Sequence, residues 1–417
     1  MRVDGGEFWS GALAAGAIAA VVSPSALQAH PPNQGELVIT APDMAIACAQ
    51  LAAMFYGNPV SQLPLIGVTG TNGKTTTTHL IEFLLSQGQQ RPALFGTLYA
   101  RWAGHQSTAA HTTPFAVELQ QQFAAAIAAG STVGVMEVSS HALAQRRVWG
   151  CQFDAAVFTN LTQDHLDYHK DLDDYFNAKA LMFTPDYLTG RAIVNIDDPY
   201  GLALVKRLGD RPVWTYSTQS PTADLSVSAL QMSAMGVKGI LHTPHGNAAF
   251  SSPLVGQFNL ANLLAAVGAV LHLGGDLVAM TNALPQFGGV PGRMERVQVQ
   301  PDQDISVIVD YAHTPDSLDN MLQAARPFIP GQMICVFGCG GDRDRTKRPL
   351  MGAAAARLAD IAVLTSDNPR SEDPAAIIDE VSAGFTVAPT RAECVIEPDR
   401  RRAIRLAVGR AEAGDVI

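Results

Sequence analysis

Residues 65–76 read Leu65-Ile66-Gly67-Val68-Thr69-Gly70-Thr71-Asn72-Gly73-Lys74-Thr75-Thr76. The opening residues 65–68 form a short apolar run with no polar face, which predicts a strand buried on both sides. A glycine turn follows, and a helix is expected to begin at Lys74. A strand that passes through such a turn into a helix N-terminus aims several backbone N–H groups at one point, where a polyphosphate is held. Lys74 would reach the outer phosphates and Thr75 would offer its hydroxyl to magnesium. The common form of this loop has glycine five residues before Gly73, where this chain has Val68. The strand before and the helix after still point to ATP or GTP, held by Gly70, Thr71, Asn72, Gly73, Lys74, Thr75 and Thr76.

The same punctuation recurs outward from this loop. Apolar β-branched runs at 132–138, 155–160, 305–310, 333–337 and 361–365 alternate with alanine-rich helical stretches. That is the α/β pattern, with mainly parallel sheets. A chain of 417 residues exceeds one compact core. Glycine and proline at 57–64 and 286–293 suggest breaks, giving segments 1–60, 61–290 and 291–417. Segment 1–60 holds too little apolar surface for a normal core, and Val416 and Ile417 read as a strand that stops after two residues. Missing sequence at both ends is therefore expected.

The net charge of −10 disfavours a nucleic-acid partner held by electrostatics. Five scattered cysteines suggest a reducing compartment, by default the cytoplasm. Cys335 and Cys339 have no second Cys/His pair at zinc-like spacing. The alanine-rich residues 12–22 are too short to span a bilayer, and Asp4 and Glu7 spoil a basic leader. A helix leading into a short strand at 19–23 fits better.

Three clusters narrow the chemistry. Glu137 ends the apolar run Val135-Met136-Glu137-Val138-Ser139-Ser140-His141, at the strand edge where open parallel sheets bind ligands. A magnesium ion near the phosphates would offset the cost of burying that carboxylate, which could alternatively pair with a nearby cation. The loop Asn160-Leu161-Thr162-Gln163-Asp164-His165-Leu166-Asp167-Tyr168-His169 holds two histidines and two aspartates, dense enough for a metal contact or substrate binding. Lys179 lies in the apolar stretch Asn177-Ala178-Lys179-Ala180-Leu181-Met182-Phe183, where a snorkelling surface lysine is the plain alternative.

Taken in order, GTNGKTTT, EVSSHAL, TNLTQDHLDYH and NAKALMF resemble the central domain of the Mur ligases, close to the UDP-N-acetylmuramoyl-tripeptide synthetases of the MurE type. The resemblance implies three domains: a partial N-terminal UDP-binding domain, a central ATPase domain with a parallel sheet, and a C-terminal Rossmann-like domain lacking its last strands. It implies that Lys179 is carbamylated and holds magnesium together with Thr75, Glu137 and His165. It assigns His111, Thr112, Thr113, Ser139, Gln145 and Arg147 to the UDP-muramoyl dipeptide, with Arg146 able to share the role of Arg147. Asn259, in Gly256-Gln257-Phe258-Asn259, matches an adenine contact, although a helix N-cap reads equally well. Arg293, Asp310 and His313 resemble positions that close over ATP. Asp367-Asn368-Pro369-Arg370 is locally a turn, and within the family it reads the incoming amino acid. Its arginine-ending form, with Arg343, looks like the meso-diaminopimelate type, since Arg370 can grip the carboxylate that lysine lacks. Residues Val3-Asp4-Gly5-Gly6-Glu7-Phe8 resemble the middle of the UDP-binding domain.

The implied reaction is ATP-dependent ligation in cytoplasmic peptidoglycan synthesis, by a monomer, through an acyl phosphate on the D-glutamate side chain. Rivals are a lysine-adding Mur ligase, a folylpolyglutamate synthase-like ligase and an inert ATP-binding fragment.

Overall fold

The computed structural model describes residues 5–233, 236–300, 302–387 and 391–417. At the N-terminus β1 (Ala20–Val22) and β2 (Val38–Thr40) pair in parallel, with Trp9, Val22 and Ala26 as their small buried cluster. The helix Met44–Phe55 then leads to the central sheet. The short strand expected at 19–23 is β1. Of the stretch likened to a UDP-binding domain, residues 3–4 lie outside the described residues.

The central sheet contains β3 (Leu65–Thr69), β4 (Pro92–Phe95), β5 (Tyr99–Trp102), β6 (His105–Thr108), β7 (Val133–Glu137), β8 (Phe153–Phe158), β9 (Leu188–Asn195) and β10 (Val213–Tyr216). Their spatial order is β10-β9-β8-β3-β7-β4-β5-β6. The strands from β10 to β4 run parallel, while β5 and β6 add an antiparallel edge that the sequence did not announce. All residues of β3 and β7 are buried because helices cover both faces. Ile66, Val68, Val135 and Val157 face the helices Lys74–Gln87 and Gln257–His272; Leu65, Met136, Phe153 and Phe158 face the helices Ala116–Ala128 and Leu172–Ala180. The period-two alternation of a strand thus divides one apolar run between two cores.

A three-stranded antiparallel sheet follows, built from β11 (Ser226–Ser233), β12 (Gly236–Thr243) and β13 (Gly246–Ser252). The helix Gln257–His272 is apolar nearly all round, since it is enclosed between this sheet and the central one.

Beyond it come the antiparallel pair β14 (Glu295–Val297) and β15 (Val307–Val309), and the parallel strands β16 (Ile334–Phe337), β17 (Ile361–Leu364) and β18 (Glu393–Ile396). The last two residues correct the expectation that so short a strand has no place. Val416 is buried and bridges in parallel to both Ser306 and Met333, joining β15 to β16. Ile308 donates to the Ile417 carbonyl and Ile334 to the Val416 carbonyl, each at 2.8 Å. Strands on both sides saturate its backbone, so length alone does not decide its fate.

Candidate active site

The carboxyl ends of β3, β7 and β8 open into a cavity of about 1080 Å³, roofed by residues from the C-terminal sheet. The glycine turn lies at its floor. Gly73, with φ 86°, caps the helix Lys74–Gln87, and a Cβ there would stand 2.3 Å from Asn262 Oδ1. Only glycine lets the helix Gln257–His272 approach this closely. Lys74 folds back on the loop, donating to the carbonyls of Gly70 (3.0 Å) and Thr71 (2.8 Å). Burial pushes its pKa down, against the pull of Glu137 and Asp164.

Glu137 ends β7 with no exposed surface. It accepts from Thr75 Oγ1 (3.2 Å), the Thr97 N–H (2.8 Å) and Thr97 Oγ1 (2.9 Å), and among the described residues it has no ion pair. Thr75 Oγ1 in turn accepts from Arg293 Nη2 at 3.1 Å. A buried carboxylate beside a hydroxyl, hydrogen-bonded but without a cation, is a donor set that fits a hard divalent ion. No group of three His, Cys, Asp or Glu side chains that could hold a metal occurs among the described residues.

Lys179 is not a surface lysine. It is 1% exposed, sits 4.4 Å from the Tyr175 ring centroid, and donates to Gly70 O at 2.7 Å. It stands behind the loop rather than in the cavity wall, and burial first, then Lys74, lower its pKa well below the ordinary lysine value. His165 adopts φ 57°, the left-handed region, and its ring stacks edge-on with His141 at 4.8 Å. Burial lowers His165 to about 3 and His141 to about 4, so both rings are neutral. The dense loop is divided in its tasks: His169 turns away to Ser140 and Asp174, whereas His165 and Asp167 line the cavity.

Asp164, 5% exposed, is the first of the two aspartates in that loop. It meets Lys347 Nζ (3.4 Å), His165 Nε2 (3.5 Å) and His313 Nε2 (3.6 Å). Burial alone would raise its pKa, but the His313 hydrogen bond and the surrounding charges hold it below the usual carboxylate range. Two of these partners belong to the C-terminal part of the chain. Asn72 Nδ2 likewise donates to Asp316 at 2.9 Å, and Gln163 to Thr346 at 2.8 Å.

The side expected to hold the dipeptide is partly occupied by its own contacts. Thr113 is buried; its hydroxyl donates to the Glu137 carbonyl (2.8 Å) and accepts from the Ser139 N–H (3.0 Å). Thr112 meets Thr97 (3.1 Å) and, with His111, Ser139 and Arg147, lines the cavity. Gln145 does not: its Oε1 accepts from Arg147 at 2.7 Å and braces that guanidinium over the Phe115 ring, 3.9 Å away. Arg146 points elsewhere, over Trp149 at 5.3 Å, so of the two neighbours only Arg147 lines the cavity.

Asn259 is not a helix cap. Gly256 takes that place, and the Asn259 amide donates to Val255 O at 2.9 Å while lining the cavity. Asp310 accepts from the Met294 N–H at 2.8 Å, and burial raises its pKa. Opposite the phosphate loop, Arg343, Asp367, Asn368 and Arg370 line the cavity, with Arg400 3.6 Å from Asp367; Pro369 shapes the turn without reaching it. Nothing in the local sequence marked Thr97, Lys347 or Arg400. Pairings that span the fold identify them.

The chain matches two family models, described as Mur ligase middle domain over residues 68–270 and as Mur ligase, glutamate ligase domain over residues 292–417. It is 64% identical to a UDP-N-acetylmuramoyl-L-alanyl-D-glutamate--2,6-diaminopimelate ligase of Trichormus variabilis, covering 99% of this chain and 83% of that one. The chain belongs to the Mur ligase family. A relative of the same name from Synechocystis sp. is 62% identical, over 99% of this chain and 81% of its own length. A solved structure with that name superposes with a TM-score of 0.69 at 37% identity, covering 99% of this chain and 82% of the other. This Mur ligase also shares its fold with a Mycobacterium tuberculosis folylpolyglutamate synthase, with a TM-score of 0.72 at 21% identity, over 89% and 91% of the two chains.

Proposed function

We propose that this Mur ligase joins meso-2,6-diaminopimelate to the D-glutamate side-chain carboxyl of UDP-N-acetylmuramoyl-L-alanyl-D-glutamate, with ATP converted to ADP and phosphate, in peptidoglycan synthesis. One observation carries the reading: in a chain 64% identical to a ligase of that name, the phosphate loop, Glu137, and the Arg343–Arg370 side face one another across a single cavity.

A carboxylate resists amide formation because oxide is a poor leaving group. Its oxygen attacks the γ-phosphorus, the bond to ADP breaks, and the acyl phosphate forms. The amine of diaminopimelate then attacks the carbonyl carbon, phosphate departs, and the new amide loses a proton. The loop amides and Lys74 bind and orient the phosphates, replacing the carbonyl contacts that Lys74 makes at rest. Arg147 offers charge to the anionic dipeptide substrate, with His111, Thr112, Thr113 and Ser139 around it. Arg293, Asp310 and His313 close over the nucleotide from the C-terminal side and exclude water from the acyl phosphate. Asn259 lies where adenine would be read. Arg343, Asp367, Asn368 and Arg370 hold diaminopimelate, the guanidinium of Arg370 selecting the carboxylate that lysine lacks.

Magnesium, held by Thr75, Glu137, His165 and Lys179 as its carbamate, would neutralise charge on the transferred phosphoryl group. The depressed pKa of Lys179 supports the carbamate, because only the unprotonated amine adds carbon dioxide. Segments 1–60, 61–290 and 291–417 would correspond to the UDP-substrate, ATP and amino-acid domains. The cytoplasm suits the free thiols and the ATP requirement, and the monomer rests on the family resemblance alone. No described helix is long and apolar enough to cross a membrane.

The test is phosphate release with ATP and the UDP-linked dipeptide, comparing meso-diaminopimelate, lysine and no amine. Turnover that depends on diaminopimelate alone supports the assignment. Turnover with lysine equal to or above that with diaminopimelate would refute it, and ATP binding with no amine-dependent turnover would leave an inert nucleotide-binding protein.

A further inference from the structure

Arg348, in the helix Lys347–Leu358, has no exposed surface and touches none of the groups assigned to the reaction. A guanidinium is costly to bury unless its donors are satisfied by anions. Here Nη2 and Nη1 donate side by side to Glu372 Oε1 (2.7 Å) and Oε2 (2.9 Å), Nη1 also to Glu380 Oε2 (2.8 Å), and Nη2 to the Gly340 carbonyl (3.2 Å).

These contacts lie beneath the two loops that carry Arg343 and Arg370. Glu372 Oε1 also accepts from the Asp342 N–H at 2.6 Å, so the carboxylate that Arg348 holds grips the first loop while belonging to the second. Ser371 Oγ donates to Asp342 Oδ1 at 2.7 Å, the Gly341 N–H to Asn368 O at 2.9 Å, and Arg370 Nη1 to Gly341 O. A Cβ on Gly341 would stand 1.9 Å from Pro369 O, so the loops touch backbone to backbone. Asp342 and Arg370 both adopt left-handed backbone, with φ 51° and 50°. Such conformations persist only where surrounding contacts over-determine them.

We infer that Arg348 is a positioning residue for amino-acid selection: through Glu372 it locks the 340–342 and 367–372 loops together and so fixes the spacing of the Arg343 and Arg370 guanidiniums. This rests on the proposed diaminopimelate reading of those two arginines. A dicarboxylic diamine that must be gripped at both ends depends on that spacing, whereas ATP and the UDP-linked substrate meet other walls of the cavity.

The test uses the full chain with Arg348→Lys, which keeps charge but loses the two-pronged grip, and Glu372→Gln, which keeps shape but loses the anion. Each substrate is varied in turn, with meso-diaminopimelate and lysine compared as amines. Expected is a rise of about tenfold to hundredfold in KM for diaminopimelate, with KM for ATP and for the UDP-linked substrate unchanged. An unchanged KM for diaminopimelate in a folded variant overturns the inference, as does a fall in kcat with all three KM values shifted together. If Arg348→Lys does not fold, Glu372→Gln decides. If the unaltered protein fails to use diaminopimelate, the reading of the site is wrong and the inference falls with it; that failure is visible before any substitution is made.

Discussion

The ammonium groups of Lys74 and Lys179 converge on one oxygen, the Gly70 carbonyl, at 3.0 and 2.7 Å. Two buried like charges cannot share one acceptor cheaply, and Lys179 is the one whose charge the fold discourages most. The fold thereby disfavours the charged form of the amine directly behind the phosphate loop.

Lys179→Ala should lower kcat by about a hundredfold or more, with ADP binding and melting temperature retained. Isotopically labelled bicarbonate should yield a carbamate signal in the unaltered protein and none in the variant. Added bicarbonate should not restore activity to Lys179→Ala. Wild-type turnover in that variant would remove the carbamate from the mechanism.

Asp164 meets Lys347 and His313 of the C-terminal part, so Asp164→Asn leaves Lys347 buried beside a neutral group. Breaking a buried pair costs on the order of 3 kcal/mol, and the two halves of the chain should separate. Small-angle scattering should show a larger radius of gyration, with weaker ATP binding. Adding Lys347→Met should recover part of the loss; strictly additive effects would mean that the two residues do not act as a pair.

Stability should depend on pH through His141 and His165. Their folded pKa values, about 4 and about 3, lie below the ordinary histidine value of 6.5. Between these limits the unfolded chain binds the additional protons, so the stability they contribute is complete above about pH 6.5 and is lost as pH falls toward 4 and 3. A melting-temperature series should be flat on the neutral side and decline below it, and His141→Gln should make the decline shallower. An identical slope in the variant would assign it to other groups.

Arg370→Ala should cost roughly tenfold in kcat/KM for diaminopimelate, the scale of one partly exposed hydrogen bond to a charged group. Turnover with lysine, however low, should be unaffected. Competition between the two amines measures the ratio directly. A uniform loss with both would mean that Arg370 shapes the loop instead of reading the second carboxylate.

Much was legible because it is local. The phosphate loop needs a buried strand, a glycine turn and a helix start within a dozen residues, and each leaves its own mark on composition. The strands around β3 were visible for the same reason, since burial on both faces demands an uninterrupted apolar run. The antiparallel edge β5–β6 left no such mark: its residues are partly exposed and its pairing was set by neighbours. Arg348 was equally silent, because nothing in Lys347-Arg348-Pro349 says that the arginine turns inward to Glu372 and Glu380.

By itself, the sequence determined a nucleotide-binding α/β chain with an acid at the edge of a buried strand and arginines in a late loop. Only the tertiary structure decided that Glu137, Asp164 and Arg370 face one cavity, that Arg147 and not Arg146 points into it, and that Lys179 lies behind the loop. Asp164 and Lys347 are 183 positions apart, and Asn72 and Asp316 are 244 apart. Periodicity and propensity act over a few residues, whereas such contacts exist only once separate cores have formed and docked.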